Sequence, residues 1–157
     1  MQNILKNNNA RGITLLELLV VLGVLAIVAT LLTGALAEFR TTSALAEAKS
    51  EIIGILRDAR SRTIASRNNM QYGVHFDLAE NIVALFEGDT YNAVSPSNEI
   101  YRLRASRITA IVLGGTSDVI FARLSGTASV SGTIVLSATR DSSKTETITI
   151  LTSGVVQ

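Results

Sequence analysis

The chain has no cysteine, one histidine and one proline, and aromatic residues make up only 4% of its 157 positions. Without cysteine it forms no disulfide, no thiolate zinc site and no cysteine nucleophile. Its single histidine, His75, falls in an alternating stretch that reads as a strand. That placement suits a packed or edge residue rather than a catalytic base. No group of acids and histidine has metal-ligand spacing, and towards the C-terminus only Asp141 and Glu146 could serve a calcium loop. Gly114-Gly115 is followed by no lysine, so it is not a phosphate loop. Nothing supports nucleophilic catalysis, a cofactor or a metal, and the chain reads as a non-enzyme.

Charge is also nearly absent as a net quantity, at +1 for the whole chain. It is absent altogether from one long stretch. Apart from Glu17, the run from Gly12 to Ala37 carries no charged residue. Leu18 to Ala37 makes about 30 Å of helix, enough to cross a bilayer. Lys6 and Arg11 precede it, which places that end in the cytoplasm by the positive-inside rule. A carboxylate within such a segment costs roughly 2.5–3.5 kcal/mol at the helix centre and less near an end, so Glu17 is a functional candidate needing a partner. Past residue 38 the chain has the composition of an ordinary soluble domain. The length allows one membrane segment and one small domain.

The order Arg11-Gly12-Ile13-Thr14-Leu15-Leu16-Glu17, running on into Leu18-Leu19-Val20-Val21-Leu22, resembles the type III signal of type IV prepilins and type II secretion pseudopilins. The resemblance implies a leader at 1–12, a transmembrane helix at 13–37 and a pilin-like domain at 38–157. It implies cleavage by a prepilin peptidase between Gly12 and Ile13, and methylation of the new Ile13 amine. Glu17 would then be the fifth mature residue, pairing with an amine of its own or a neighbouring subunit to set the register of assembly. Ile13 stands where the family usually has phenylalanine. Of the 14 basic side chains, Lys6 and Arg11 would leave with the leader, and the remaining 12 face 13 acids. Two plainer readings of the run stand beside this one. A secretory signal could be cut after Ala35-Leu36-Ala37, although the apolar core exceeds the roughly 7–15 residues such signals use. An uncleaved signal anchor is the other. Ala26, Thr30 and Gly34, four apart, form a small-residue ridge suited to close helix packing, or reflect how common such residues are in membrane helices.

The helical pattern continues beyond the run. Leu45, Ala48, Ile52, Leu56, Ala59 and Thr63 recur at helical spacing between charged neighbours. This predicts one helix from about Ile13 to Ser66, ended by Asn68-Asn69. The period then becomes two. Strands are predicted at Gln71–Phe76, Ile82–Glu87, Glu99–Arg104, Ile108–Leu113, Asp118–Ala122, Gly132–Ala138 and Glu146–Leu151, with a short last strand at Val155–Gln157. The predicted class is α+β: a long N-terminal helix, half membrane and half amphipathic, packed on an antiparallel sheet.

Leu56-Arg57-Asp58-Ala59-Arg60-Ser61, Val74-His75-Phe76-Asp77, Val119-Ile120-Phe121, Leu124-Ser125-Gly126, Gly132-Thr133-Ile134 and Gly154-Val155 narrow the resemblance to the GspH/FimT group of minor pseudopilins. That resemblance implies a structural subunit of a secretion pseudopilus or a type IV pilus. Its partners would be other pilin subunits, the peptidase and methyltransferase, and an inner-membrane assembly platform. The protein would be single-pass in a bacterial inner membrane, its C-terminal domain periplasmic or extracellular, and in a filament after assembly. Some members of the family act in DNA uptake through arginines near the C-terminus. Here Gly154-Val155-Val156-Gln157 has none, and the near-neutral charge argues against nucleic acid. The alternative, a DNA-binding minor pilin, would use Arg102, Arg104 and Arg107, or the helix-end arginines Arg57, Arg60, Arg62 and Arg67. A plain membrane-anchored domain is the third reading.

Overall fold

The computed structural model describes residues 14–157, save the side chains of Leu32, Thr33 and Ala35. The Gly12–Ile13 junction lies outside the described residues. The chain divides into two units, 1–38 and 39–157. Helix α1 spans Leu15–Ile64. No proline interrupts it, and straight-chain and alanine residues dominate its sequence.

Within the second unit α1 buries one face. Leu45, Ala48, Ile52, Ile55, Leu56, Ala59 and Thr63 are all buried. Six of these seven are the residues read from the periodicity, and Ile55 widens the stripe. Thr63 is the polar member, and it is satisfied. Its hydroxyl donates to the Ala59 carbonyl at 2.9 Å and accepts the Tyr72 amide at 2.9 Å, fastening the helix to the first strand. The helix stops where Ser66, Asn68 and Asn69 adopt positive φ of 49°, 53° and 59°. Asparagine enters this region at low cost, so the chain reverses there.

Seven strands follow: β1 Tyr72–Asp77, β2 Ile82–Glu87, β3 Glu99–Arg102, β4 Ser106–Val112, β5 Asp118–Ile120, β6 Gly132–Ala138 and β7 Thr145–Ile150. All pairings are antiparallel, but they form two sheets rather than the single sheet expected. One has the order β3-β2-β1-β5 and the other β4-β6-β7. The β1–β2 hairpin turns on Asp77, whose carboxylate accepts the Ala79 and Glu80 amides at 2.7 and 3.0 Å. Asn81 ends that turn and explains the split. Its side-chain amide donates to the Leu103 and Ser106 carbonyls at 2.9 Å each, and its carbonyl accepts the Ile108 amide at 2.9 Å. The Leu103 amide still pairs with the Asn81 backbone carbonyl at 3.2 Å, but β2 begins only at Ile82, so the chain has no strand to follow further. The Asn81 side chain binds the start of β4, which pairs with β6. The last predicted strand shrinks to a bridge between Val156 and Ile150.

One core joins the helix stripe to both sheets, through Val74, Phe76, Val83, Leu85 and Val119 on one and Ile108, Ile134, Leu136, Ile148 and Ile150 on the other. β2 is buried on its other face too. Phe86 lies over Gly73, where an added Cβ would come within 2.5 Å of the ring, and meets Tyr91 edge-on at 5.5 Å. Tyr91 in turn stacks on His75 at 3.9 Å, and His75 Nδ1 lies 2.6 Å from Asp118. His75 is thus a packed residue tying β1, β5 and the loop after β2.

Ion pairs finish the helix–sheet seam. Lys49 meets Glu146 of β7 at 3.0 Å, and Arg62 bridges Asp58 at 2.6 Å and Glu99 of β3. The bond from Arg62 holds the Glu99 carboxyl below its usual range, and its two carboxylate partners raise the Arg62 guanidinium further. A carboxyl depressed in the folded state stabilises above its unfolded pKa and loses that contribution as pH falls through its folded value. Both partners are partly exposed, so the contribution is at most about 1 kcal/mol. Glu99→Gln is therefore expected to flatten part of the acid limb of the stability curve. Thermal melts of the detergent-solubilised chain between neutral and about pH 3 check this. Identical acid limbs would refute it.

Candidate functional site

The start of α1 is built by Thr14. Its hydroxyl accepts the Glu17 amide at 3.2 Å, and its carbonyl accepts the Leu18 amide at 3.1 Å. Thr14 is therefore the N-cap and Glu17 the third helical residue, the spacing of a capping box. Sequence reasoning valued Glu17 for its charge and passed over this local role, although Thr14-Leu15-Leu16-Glu17 carried the signal. The two roles are compatible. A carboxylate in the first turn also complements the helix dipole.

The described part of the apolar run presents its large side chains outward. Leu15 is 82% exposed and Leu31 70%. α1 is long and apolar enough to cross a membrane, and none of its most apolar window is buried. At about 25 cal/mol per Å² of apolar surface, such a helix requires a bilayer or apolar neighbours. On the small-residue ridge, Thr30 returns its hydroxyl to the Ile27 carbonyl at 2.7 Å, and nothing lies within 4 Å of the space a Gly34 Cβ would take. At Gly34 there is room for a neighbouring helix to approach.

The arginines at the helix end are largely structural. Arg60 donates to the Gly126 carbonyl at 2.9 Å and Arg57 to the Val156 carbonyl at 3.4 Å, while Arg62 is held by its two acids. Arg102, Arg104 and Arg107 do not form one patch. Arg102 and Arg104 line a hollow with Glu47 and Glu51 of α1, while Arg107 points outward from β4 between buried Ser106 and Ile108. Arg104 also borders a second cleft, with Arg40 and Arg140, two residues that the sequence did not single out. No group of three or more metal-ligating side chains occurs among the described residues. Asp141 accepts the amide and hydroxyl of Ser143, bonds that lower its carboxyl, and Glu146 is engaged with Lys49.

Residues 7–33 match the family model described as the prokaryotic N-terminal methylation motif. No curated protein matches the chain. Among solved structures, the fold is similar to that of the minor pseudopilin EpsH from the type 2 secretion system of Vibrio cholerae. The likeness covers 72% of this chain and 94% of that one, with a TM-score of 0.51 at 10% identity. The chain joins a prepilin-type N-terminus to a pseudopilin-like fold. Thr14 and Glu17 both fall inside the prepilin motif, so this N-cap is part of it. The pseudopilin-like fold in turn accounts for the order of the chain, one long N-terminal helix followed by antiparallel sheets.

Proposed function

We propose that this protein is a minor pseudopilin or minor pilin, a structural subunit of a type II secretion pseudopilus or type IV pilus. The observation that carries the reading is the methylation motif over residues 7–33 running into an apolar helix with outward-facing side chains. A peptidase cuts between Gly12 and Ile13, and a methyltransferase modifies the Ile13 amine. The C-terminal domain then lies on the periplasmic side of the inner membrane, and the leader on the cytoplasmic side. Assembly draws subunits together through their apolar helices, as the small-residue ridge at Ala26, Thr30 and Gly34 permits. The Glu17 carboxylate, one turn from the new N-terminus, pairs with an Ile13 amine and offsets part of the desolvation of both charges. The subunit works by polymerisation rather than by catalysis, with other pilin subunits and an inner-membrane platform as partners.

Intact mass of the protein from native membranes tests the processing. The expected species begins at Ile13 and carries one added methyl group. A species beginning at Glu38 would mean a secretory signal, and an uncut chain a plain anchor. Either outcome removes the subunit reading.

A further inference from the structure

Three arginines from distant parts of the chain meet in one cleft of about 380 Å³. Arg40 comes from α1, Arg104 from the corner between β3 and β4, and Arg140 from the end of β6. All three are exposed. No carboxylate among the described residues pairs with any of them, whereas Arg62 and Lys49 both have acidic partners. No acid lines this cleft; Glu47 and Glu51 lie in the neighbouring hollow, which Arg104 borders together with Arg102. Thr41 and Thr139 add hydroxyls to the wall. Three like charges around one cleft repel one another, and a phosphate between them would relieve this through charge-assisted bonds.

Connectivity says where that phosphate comes from. Arg40 is the third residue after Ala37, where the uncharged run ends. At 1.5 Å per residue it stands about 5 Å beyond the end of the uncharged run. That is the depth of the lipid headgroups when the run spans a bilayer. A cleft containing Arg40 cannot lie far from them.

We propose that the Arg40–Arg104–Arg140 cleft binds the phosphate of an anionic phospholipid in the leaflet from which the helix emerges. The bound headgroup holds the globular domain against the membrane until the subunit is drawn into a filament. This rests on the membrane-anchored reading above. A subunit docked on its bilayer is presented to the assembly platform in one orientation, and extraction must break the contact.

The absence of cysteine makes the test direct. A dye on Ser142→Cys, next to the cleft, is placed on the full chain in nanodiscs that hold a headgroup-labelled acceptor. Energy transfer is expected to rise when phosphatidylglycerol is added to phosphatidylcholine discs. An arginine near an anionic surface contributes about 1 kcal/mol, so Arg104→Gln with Arg140→Gln should weaken docking about 30-fold. Arg104→Lys with Arg140→Lys keeps both charges and should retain most of it. Equal transfer in both lipids, or no effect of the glutamine pair, overturns the proposal. Binding of inorganic phosphate to the detergent-solubilised chain that the glutamine pair abolishes, with no lipid-dependent transfer, would make the cleft a site for the free anion and overturns it as well. Binding of a labelled DNA duplex that the glutamine pair abolishes, without lipid dependence, would make it a nucleic-acid site. Failure of the chain to enter the discs would defeat the membrane reading itself, whereas entry without lipid-dependent transfer defeats only the docking.

Discussion

Glu17→Val is expected to enter the membrane at least as well as the natural chain and to be nearly lost from assembled filaments. The first half follows from removing a charge from an apolar helix. The second follows from what the substitution leaves behind. In the proposed assembly the Ile13 amine is positive and lies among apolar neighbours. Leaving one partner of a buried pair uncompensated costs about 3–5 kcal/mol, on the order of a hundred- to several-thousand-fold in an association equilibrium. The measurement is the ratio of tagged subunit in sheared filaments to that in membranes. Normal incorporation of the Val variant would show that Glu17 has no part in assembly.

The capping geometry adds a competing explanation, and it can be separated. Thr14 and Glu17 form the first turn of α1 together. Losing an N-cap costs about 1 kcal/mol, or roughly fivefold. Thr14→Val removes the cap and leaves the charge, so its defect should be small. Glu17→Gln keeps a side chain that serves a capping box and removes the charge. If charge pairing governs assembly, Gln behaves like Val. If helix initiation governs it, Gln behaves like the natural residue and Thr14→Val is the severe variant.

The helix was legible because its signal is periodic and local. Leu45 through Thr63 repeat at a fixed spacing, and each predicted position is buried. Strand positions were legible for the same reason, within a residue or two at their ends. The division into two sheets was not. It depends on Asn81 reaching Leu103, Ser106 and Ile108, which lie 22, 25 and 27 residues away. No periodicity announces which asparagine will bind a distant backbone. The surroundings of the arginines were not legible either. Arg102 and Arg104 line one hollow with Glu47 and Glu51, while strand alternation turns Arg107 outward on β4. Arg104 meets Arg40 and Arg140 only through tertiary structure. At the N-terminus the motif was plain, yet its charge drew attention from its hydrogen bonding.

Two short motifs that carried the family resemblance, Ser125-Gly126 and Gly154-Val155, have a physical explanation, and it predicts a large loss of stability in Gly154→Ala. Gly154 sits at φ +78°, and a Cβ there would lie 2.0 Å from the Gly126 carbonyl oxygen and 2.7 Å from Arg60 Nε. That oxygen is the one Arg60 binds at 2.9 Å. Three segments distant in sequence therefore meet at a point with no room for a methyl group: the helix end, the turn after β5 and the turn before the C-terminus. Adopting the left-handed conformation costs alanine about 1–2 kcal/mol. Displacing the Gly126 carbonyl also loses a charge-assisted hydrogen bond, about 1.5–3 kcal/mol more. The expected total, roughly 2.5–5 kcal/mol, lowers the melting temperature by about 10 °C or more in a domain of this size. Gly114→Ala is the control. Gly114 has a similar φ, +66°, with nothing within 4 Å of its Cβ position, so it should show only the conformational cost. Thermal melts of the two variants in the same detergent decide the matter. Equal losses would mean that the close approach of Gly126, Arg60 and Gly154 contributes nothing. A clearly larger loss at Gly154 would establish that this junction fastens the C-terminal segment to the helix.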